Sequence, residues 1–193
     1  SSITAKALTV TGITAENKVY NGNTTATPGG SGTLVGIVSP DVVTLNAASV
    51  AGTFADKNVN TGISVQISGL ALAGAGAGNY TLTQPATTAN ITTLALSVTA
   101  PDVSKVYDGD TTASGSCTVG SLASGDSVTT IPTLTFDNRN IGTDNKTLTP
   151  SAIVIKDAGA VDMTANYNIT YTPNTTSSIT AKALTVTGIT AEN

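Results

Sequence analysis

Residues 105–113 read KVYDGDTTA and residues 18–26 read KVYNGNTTA, so one nine-residue pattern occurs twice in the chain. Each copy contains an Asn-Gly or Asp-Gly dipeptide, and both dipeptides tolerate the positive φ angles of a tight turn. The pattern therefore predicts tight turns between strands. The predicted turn residues are Asn21, Gly22, Asp108 and Gly109.

Three further stretches recur in the same order on either side of this pattern. ITAKALTVTG begins at Ile3 and ITTLALSVTA begins at Ile91, an offset of 88 residues. The other two pairs are FADKNV with FDNRNI, at residues 54–59 and 136–141, and NYTLT with NYNIT, at residues 79–83 and 166–170. Four landmarks in one order indicate two homologous units of about 88 residues each.

A longer repeat encloses these two units. Residues 1–17 read SSITAKALTVTGITAEN, and residues 177–193 have the same seventeen letters, at an offset of 176. We therefore expect the chain to be an internal part of a longer tandem array. The predicted boundaries are unit 1 at residues 1–90, unit 2 at 91–178, and the first strand of a following unit at 179–193. A period near 88 is the size of a whole small domain and exceeds the repeat length of a β-helix.

Apolar and polar residues alternate in several short segments, such as residues 7–11 and 63–67, and Thr, Val and Ile dominate them. This alternation predicts half-buried strands. No long segment has a helical period, although one helical turn could begin at Ser39-Pro40-Asp41 or Ser124-Gly125-Asp126. The predicted fold is all-β, with two tandem sandwich-like units and a β-grasp-like unit as the alternative. We further expect the ITAKALTV strand to pack against both neighbouring units, so that each unit is completed by its successor's start.

Composition excludes several classes of function. The chain has no His, a single Cys and a formal net charge of −4, and its few Lys residues are dispersed. Nucleic-acid binding usually requires clustered Lys and Arg, and no apolar run reaches the length of a membrane span. General acid–base catalysis and transition-metal sites usually recruit His or clustered Cys. We predict no enzyme activity, no cofactor and no disulfide, with Cys117 as a small buried side chain.

The combination of these motifs resembles the YDG-type repeats of filamentous-haemagglutinin-like bacterial adhesins. The matching stretches are residues 3–27, 52–62 and 76–83, and unit 1 departs from the pattern only in having Asn21 where the family has Asp. The resemblance implies a module of a long secreted or surface-anchored protein, extracellular or at the cell surface of a Gram-negative bacterium. The related MBG-type repeats imply a β-sandwich or β-grasp module, and no catalytic residue carries over.

Six aromatic residues recur at matching positions of the two units and are predicted to anchor the cores. They are Tyr20, Phe54, Tyr80, Tyr107, Phe136 and Tyr167.

Two alternatives to purely structural roles remain for the polar landmarks. Asp108 and Asp110 flank one turn, so they could bind Ca²⁺, although Ca²⁺ requires six to eight oxygen ligands and we interpret both residues as turn formers. The recurring pairs Lys18 with Asn79 and Lys105 with Asn166 could form isopeptide cross-links, with Asp56 or Asp137 as the acid. An intact mass without loss of ammonia would reject that cross-link.

The function predicted from the sequence is structural, namely a stalk segment of an adhesin or surface filament that gives reach and rigidity and supports adhesion or biofilm formation. Its partners would be neighbouring repeats, possible other copies in a fibre, and possible glycans or host surfaces. The alternative is a carbohydrate- or receptor-binding repeat acting by avidity, for which Tyr171 is the only Tyr outside the repeated anchors.

Overall fold

The computed structural model describes residues 2–188 and is almost entirely β-structure. Its only helical segments are two 3-10 turns, Ala77–Asn79 and Thr164–Asn166. The prediction of an all-β chain is confirmed. The sequence allowed at most one helical turn at Ser39-Pro40-Asp41 or Ser124-Gly125-Asp126, and the structure has ordinary turns at Ser39-Pro40 and Ser124-Gly125. A β-grasp unit would pack a helix on its sheet, and residues 2–188 contain no α-helix.

The chain divides into two compact units. Unit 1 runs through Leu94 and includes Ala123–Gly125, whereas unit 2 comprises Ala95–Leu122 and the chain from Asp126 onward.

Unit 1 contains twelve short strands. In chain order they are β1 (Lys6–Thr11), β2 (Thr14–Ala15), β3 (Lys18–Val19), β4 (Thr25–Ala26), β5 (Pro28–Gly29), β6 (Thr33–Val35), β7 (Thr44–Asn46), β8 (Ala51–Phe54), β9 (Asn60–Ser68), β10 (Ala71–Ala73), β11 (Tyr80–Leu82) and β12 (Ala86–Thr92). The largest sheet has the order β3-β12-β9-β8-β4, and a smaller sheet has the order β11-β1-β6. Two-stranded ladders join β10 with β7 and β2 with β5.

Unit 2 repeats this plan. Its strands are β13 (Leu94–Thr99), β14 (Ser104–Val106), β15 (Thr112–Ala113), β16 (Thr118–Val119), β17 (Asp126–Thr130), β18 (Thr133–Phe136), β19 (Gly142–Ser151), β20 (Val154–Asp157), β21 (Tyr167–Thr172) and β22 (Asn174–Thr180). The five-stranded sheet has the order β14-β22-β19-β18-β15, the three-stranded sheet β16-β13-β21, and β17 pairs with β20.

Alternation along the central strands forms the cores, because successive side chains of a strand point to opposite faces. Ile63, Val65 and Ile67 on β9 are buried, while the residues between them are exposed. On β19 the corresponding buried positions are Lys146, Leu148 and Pro150. The core of unit 2 includes the cluster Ala100, Leu134, Phe136, Leu148 and Ile179.

Each five-stranded sheet includes residues from the start of the following sequence repeat. Ile91 and Thr92 on β12 pair in parallel with Lys18 and Val19 on β3, and Ile91 is only 1% exposed. In unit 2, residues 178–180 on β22 pair in the same way with residues 104–106 on β14. The first unit therefore extends beyond the sequence-derived boundary at residue 90, since Ile91 belongs to its core.

The segment predicted as the first strand of a following unit, residues 179–193, is only partly a strand. Ile179 and Thr180 end β22, residues 181–188 form no strand, and residues 189–193 lie outside the described part of the chain. A strand at residues 181–188 stays a prediction for a chain that also contains its partner strands. The equivalent strand β1 pairs with β11 and β6 of its own unit, and no third copy of those strands occurs among the 193 residues.

Candidate functional site

The turn that follows β3 wraps around the side chain of Lys18. The Lys18 Nζ donates to Asn21 Oδ1 at 2.9 Å and to the main-chain carbonyls of Asn23 and Thr25 at 2.6 and 3.0 Å. Asn23 Oδ1 is a further acceptor at 3.1 Å. The ammonium also lies 5.2 Å from the centre of the Phe54 ring. One lysine therefore ties the turn to the hydrophobic core below it.

Unit 2 builds the same arrangement with carboxylates. Lys105 Nζ donates to the two oxygens of Asp108 at 2.8 and 3.1 Å. It also donates to the carbonyls of Asp110 and Thr112 at 2.9 and 2.8 Å. Its ammonium lies 5.6 Å from the Phe136 ring centre, so each ring adds a cation–π contact.

Local hydrogen bonds explain why the sequence forms this loop. Asp108 Oδ1 accepts from the N–H of Asp110 at 3.0 Å, and Asp110 Oδ1 accepts from the N–H of Thr112 at 2.9 Å. These are Asx turns, which Asp and Asn favour. Gly109 has a φ of +87° and Gly22 a φ of +83°, a region that glycine adopts without steric cost. The four predicted turn residues therefore lie in turns.

The electrostatics of the two loops differ in a way that follows from Asp replacing Asn. The hydrogen bond from Lys105, aided by the Asp110 N–H, holds the pKa of Asp108 below its usual value. Main-chain hydrogen bonds from Thr112 and Thr111 likewise lower the pKa of Asp110. In unit 1, burial lowers the pKa of the Lys18 ammonium, and no carboxylate takes part in its hydrogen bonds. Only unit 2 has an ion pair in this loop.

The oxygens considered for Ca²⁺ already have partners. Asp108 binds the Lys105 ammonium, and the carboxylate of Asp110 accepts the N–H of Thr112. Among residues 2–188 no cluster of three or more metal-ligating side chains occurs. A cation supplied by the chain itself occupies the place where a bound ion would be expected, which argues against the Ca²⁺ alternative.

The aromatic landmarks lie in or beside the two cores. Tyr20 and Phe54 are 1% and 2% exposed, and Phe136 is 2% exposed. Tyr80 and Tyr167 are also buried, and Tyr107 is partly buried against the unit 2 cluster. Their positions are those of packing residues.

Two of the tyrosines carry a polar contact that sequence reasoning missed. Tyr80 Oη donates to Asp41 Oδ2 at 2.8 Å and accepts the N–H of Val38 at 3.0 Å. The equivalent Tyr167 Oη donates to Asp126 Oδ2 at 2.7 Å. The Val38 hydrogen bond lowers the pKa of Tyr80, but burial and the Asp41 carboxylate outweigh it, and the net shift is upward. The missed signal was the repeated Ser-x-Asp at residues 39–41 and 124–126, which the sequence analysis considered only as a place where one helical turn could begin.

The cross-link candidates are placed in different surroundings. Lys18 and Lys105 are engaged in their own loops, while Asn79 and Asn166 end the two 3-10 turns. Asn79 is exposed, whereas Asn166 is buried and its Nδ2 contacts Met163 Sδ at 3.4 Å. Asp56 accepts hydrogen bonds from Asn58.

The other candidate acid, Asp137, lies beside a different lysine. Its Oδ1 is 3.4 Å from Nζ of Lys146, a residue that sequence reasoning did not single out. The missed signal was the alternation in residues 146–150, KTLTP, which places Lys146 on the same strand face as Leu148.

Two remaining expectations concern Cys117 and membranes. Cys117 is half-buried against the unit 2 core rather than fully buried, and burial raises the pKa of its thiol. Within residues 2–188 no helix has the length and apolar character needed to cross a membrane.

Comparison with known proteins identifies the family. No curated protein and no solved structure matches the chain. The profile of the YDG domain matches twice, at residues 4–89 and 92–176, and so covers both units. The two loops around Lys18 and Lys105 lie within these matches. The chain therefore belongs to the YDG domain family and contains two tandem copies of that domain.

Proposed function

We propose that this chain is a structural segment of a long extracellular bacterial adhesin or surface filament, in which tandem YDG domains provide reach and rigidity. The observation that carries the proposal is the use of each repeat's first residues to complete the preceding sheet. Ile91 is buried in unit 1, and Ile179 is buried in unit 2. Because the first residues of each repeat belong to the preceding sheet, no residues remain at the repeat boundary for a flexible linker.

The length of the connection supports this function. Strand β12 ends at Thr92 and β13 begins at Leu94, so a single residue separates a strand of one sheet from the first strand of the next. Flexible linkers are longer and rich in Gly, Ser or Pro. Repetition at 176 residues would extend the same arrangement along an array.

The chemistry of the recurring residues also favours a structural role over catalysis. Lys18 and Lys105 donate to oxygens of their own loops, and the hydroxyls of Tyr80 and Tyr167 are bonded to Asp side chains of their own units. These groups stabilise the units that contain them. We therefore propose that the segment is not an enzyme, and that its partners are neighbouring repeats, other copies in a fibre, and surface glycans or host proteins.

Electron microscopy of tandem chains tests the stalk function. Chains of two, four and six copies of the 176-residue period would be imaged after rotary shadowing. A stiff stalk predicts a contour length that grows in proportion to the copy number, with narrow end-to-end distributions. End-to-end distances that grow only as the square root of copy number would contradict the proposal, since that is the behaviour of flexibly linked beads.

A matched control tests whether the stiffness of the tandem chains comes from the short connection at the repeat boundary. Insertion of a Gly-Ser linker at Thr93 should leave each unit folded and broaden the end-to-end distribution. Fibres with the same period on the surface of the source cells would support the filament function.

The alternative, a carbohydrate- or receptor-binding repeat, gains no specific support from the described side chains. Tyr171, its best aromatic candidate, is half-buried and its Oη accepts the N–H of Ile153 at 3.2 Å. A glycan array probed with the tandem chains would test it directly.

A further inference from the structure

Lys146 is the charged side chain among the buried residues of the five-stranded sheet of unit 2, whose other buried polar side chains within residues 2–188 are the serines Ser177 and Ser178. It is 4% exposed and stands on β19 next to Leu148, with Ser177 on β22 as its register partner. Lysine is almost never fully buried unless it is paired, because removing a charge from water is costly. Its surroundings therefore have to provide a compensating interaction.

Two side chains at the end of β18 meet the Lys146 amine. Phe136 stands opposite Leu148, and the N–H of Asp137 donates to the carbonyl of Thr147 at 2.9 Å, so Asn138 lies across from Lys146. Lys146 Nζ contacts Asn138 Oδ1 directly. The amine is therefore in contact with the carboxamide of Asn138.

Asp137 contacts both nitrogen atoms of this pair. Its Oδ1 is 3.4 Å from Lys146 Nζ, and its Oδ2 accepts Asn138 Nδ2 at 3.2 Å. A carboxylate in this position can take a proton from an amine with one oxygen and deliver a proton to an amide nitrogen with the other. Amine, amide and carboxylate are the three groups that an amide exchange requires.

We propose that Lys146 and Asn138 form an intramolecular isopeptide bond, with Asp137 as the proton-transfer group. Asp137 accepts a proton from the Lys146 ammonium, and the freed lone pair on Nζ attacks Cγ of Asn138. The new Nζ–Cγ bond forms and Nζ gives up a second proton. The Cγ–Nδ2 bond breaks, and Nδ2 leaves with both transferred protons, which restores the Asp137 carboxylate. The products are a secondary amide and ammonium ion, so atoms and charge balance without an oxidant or cofactor.

Unit 1 provides a natural comparison without the reactive groups. Phe54 stands opposite Val65 as Phe136 stands opposite Leu148. The positions equivalent to Asp137, Asn138 and Lys146 are therefore Ala55, Asp56 and Ile63. The reaction is confined to the second domain of each period. Asp137→Ala, Asn138→Asp and Lys146→Ile therefore introduce the residues that unit 1 has at the same positions.

Intact-mass spectrometry of the purified, folded 193-residue chain tests the proposal. We expect a mass lower than the sequence mass by one ammonia. Trypsin should then release residues 106–139 covalently joined to residues 140–156, since the modified Lys146 resists cleavage. An unshifted mass, or separate peptides 140–146 and 147–156 with no joined product, would overturn the proposal.

Variants distinguish the cross-link from other losses of ammonia. A cyclic imide at Asn138 also loses ammonia, but it would persist in Lys146→Ile, whereas the isopeptide bond would disappear. Asp137→Ala should likewise restore the sequence mass, and in Asn138→Asp the loss of ammonia should disappear, because a carboxyl group at this position can lose only water. A bond that forms unchanged in Asp137→Ala would overturn the role given to that carboxylate. Circular dichroism establishes that each variant is folded.

Discussion

At the scale of single residues, Lys18 and Lys105 take the place that a bound metal ion has in many short loops. Each ammonium is held by oxygens from fewer than ten consecutive residues and rests over a buried phenylalanine ring. Because the cation is covalently attached, the loop does not depend on an external ion. We expect unfolding midpoints that do not change when chelators are added.

Lys105→Met should destabilise unit 2, because the carbonyls of Asp110 and Thr112 lose their donor. Hydrogen bonds to charged groups contribute about 1.5–3 kcal/mol, and partial exposure of the loop reduces this, so we expect a loss of about 1–2 kcal/mol. Urea unfolding measures it. Lys105→Arg should not restore stability, since the planar guanidinium cannot reproduce the ammonium geometry. Full rescue by Arg would contradict the loop geometry.

Acid should weaken unit 2 through Asp108. Its pKa is lowered in the folded state by the Lys105 hydrogen bond, so its contribution to stability is present above the unfolded-state pKa and is lost as pH falls through the folded-state pKa. The double variant Asp108→Asn, Asp110→Asn copies the loop of unit 1 and should lose less stability between pH 7 and pH 3 than the parent chain. Thermal melts at both pH values test this. An equal loss in both proteins would contradict the prediction.

At the scale of elements, β12 and β22 are the strands on which each large sheet depends. Strand β22 lies between β14 and β19, and its Ile179 is part of the core. These strands combine residues of one sequence repeat with the first residues of the next. The boundary between two sequence repeats therefore falls within each of these strands.

Two truncations distinguish the contribution of β22 to stability from that of the residues that follow it. A chain ending at Pro173 lacks β22 and should lose the cooperative melting of unit 2. A chain ending at Thr180 keeps β22 and should melt like the parent. Ile179→Ala, a milder change, should cost about 2–5 kcal/mol. An unchanged melting temperature for the Pro173 truncation would show that β22 is dispensable.

The strands, tight turns and recurring aromatic anchors could be predicted from local patterns. Residues such as Gly22, Val65 and Phe54 reveal their roles through turn preference, alternation and repetition. The partners of Lys146 and Tyr80 could not be predicted this way, because Asn138 and Asp41 approach them only after the chain folds. The extent of each unit was also hidden, since Ile91 looks like the start of a repeat but packs at the end of a unit.

At the scale of the whole molecule, residues 181–188 show how the burial of a strand depends on the rest of its repeat. Leu184 and Val186 are 87% and 78% exposed, whereas the identical positions in the first repeat, Leu8 and Val10, are 0% and 7% exposed. The difference arises because β1 has partner strands in its own unit. The same sequence is therefore buried where the rest of its repeat is present and exposed where it is not.

Addition of one further period to the C-terminus should convert residues 181–188 into a strand. Hydrogen exchange of their amides should slow to the rates found for β1, by more than about tenfold, since exchange reports the stability of local structure. A chain extended by an unrelated domain serves as the control and should leave these amides in fast exchange. Equal rates in the two extended chains would contradict the expectation.

The completion of each sheet by the following repeat has a consequence for synthesis. A growing chain emerges from its N-terminus at about 5–20 residues per second, and domains generally fold as units in that order. Unit 1 cannot close until Ile91 and Thr92 have been made, so the arrival of each new repeat completes the one before it. The domains of an array would then fold one after another from the N-terminus. At any moment only the most recently made domain would lack the residues that complete its sheet.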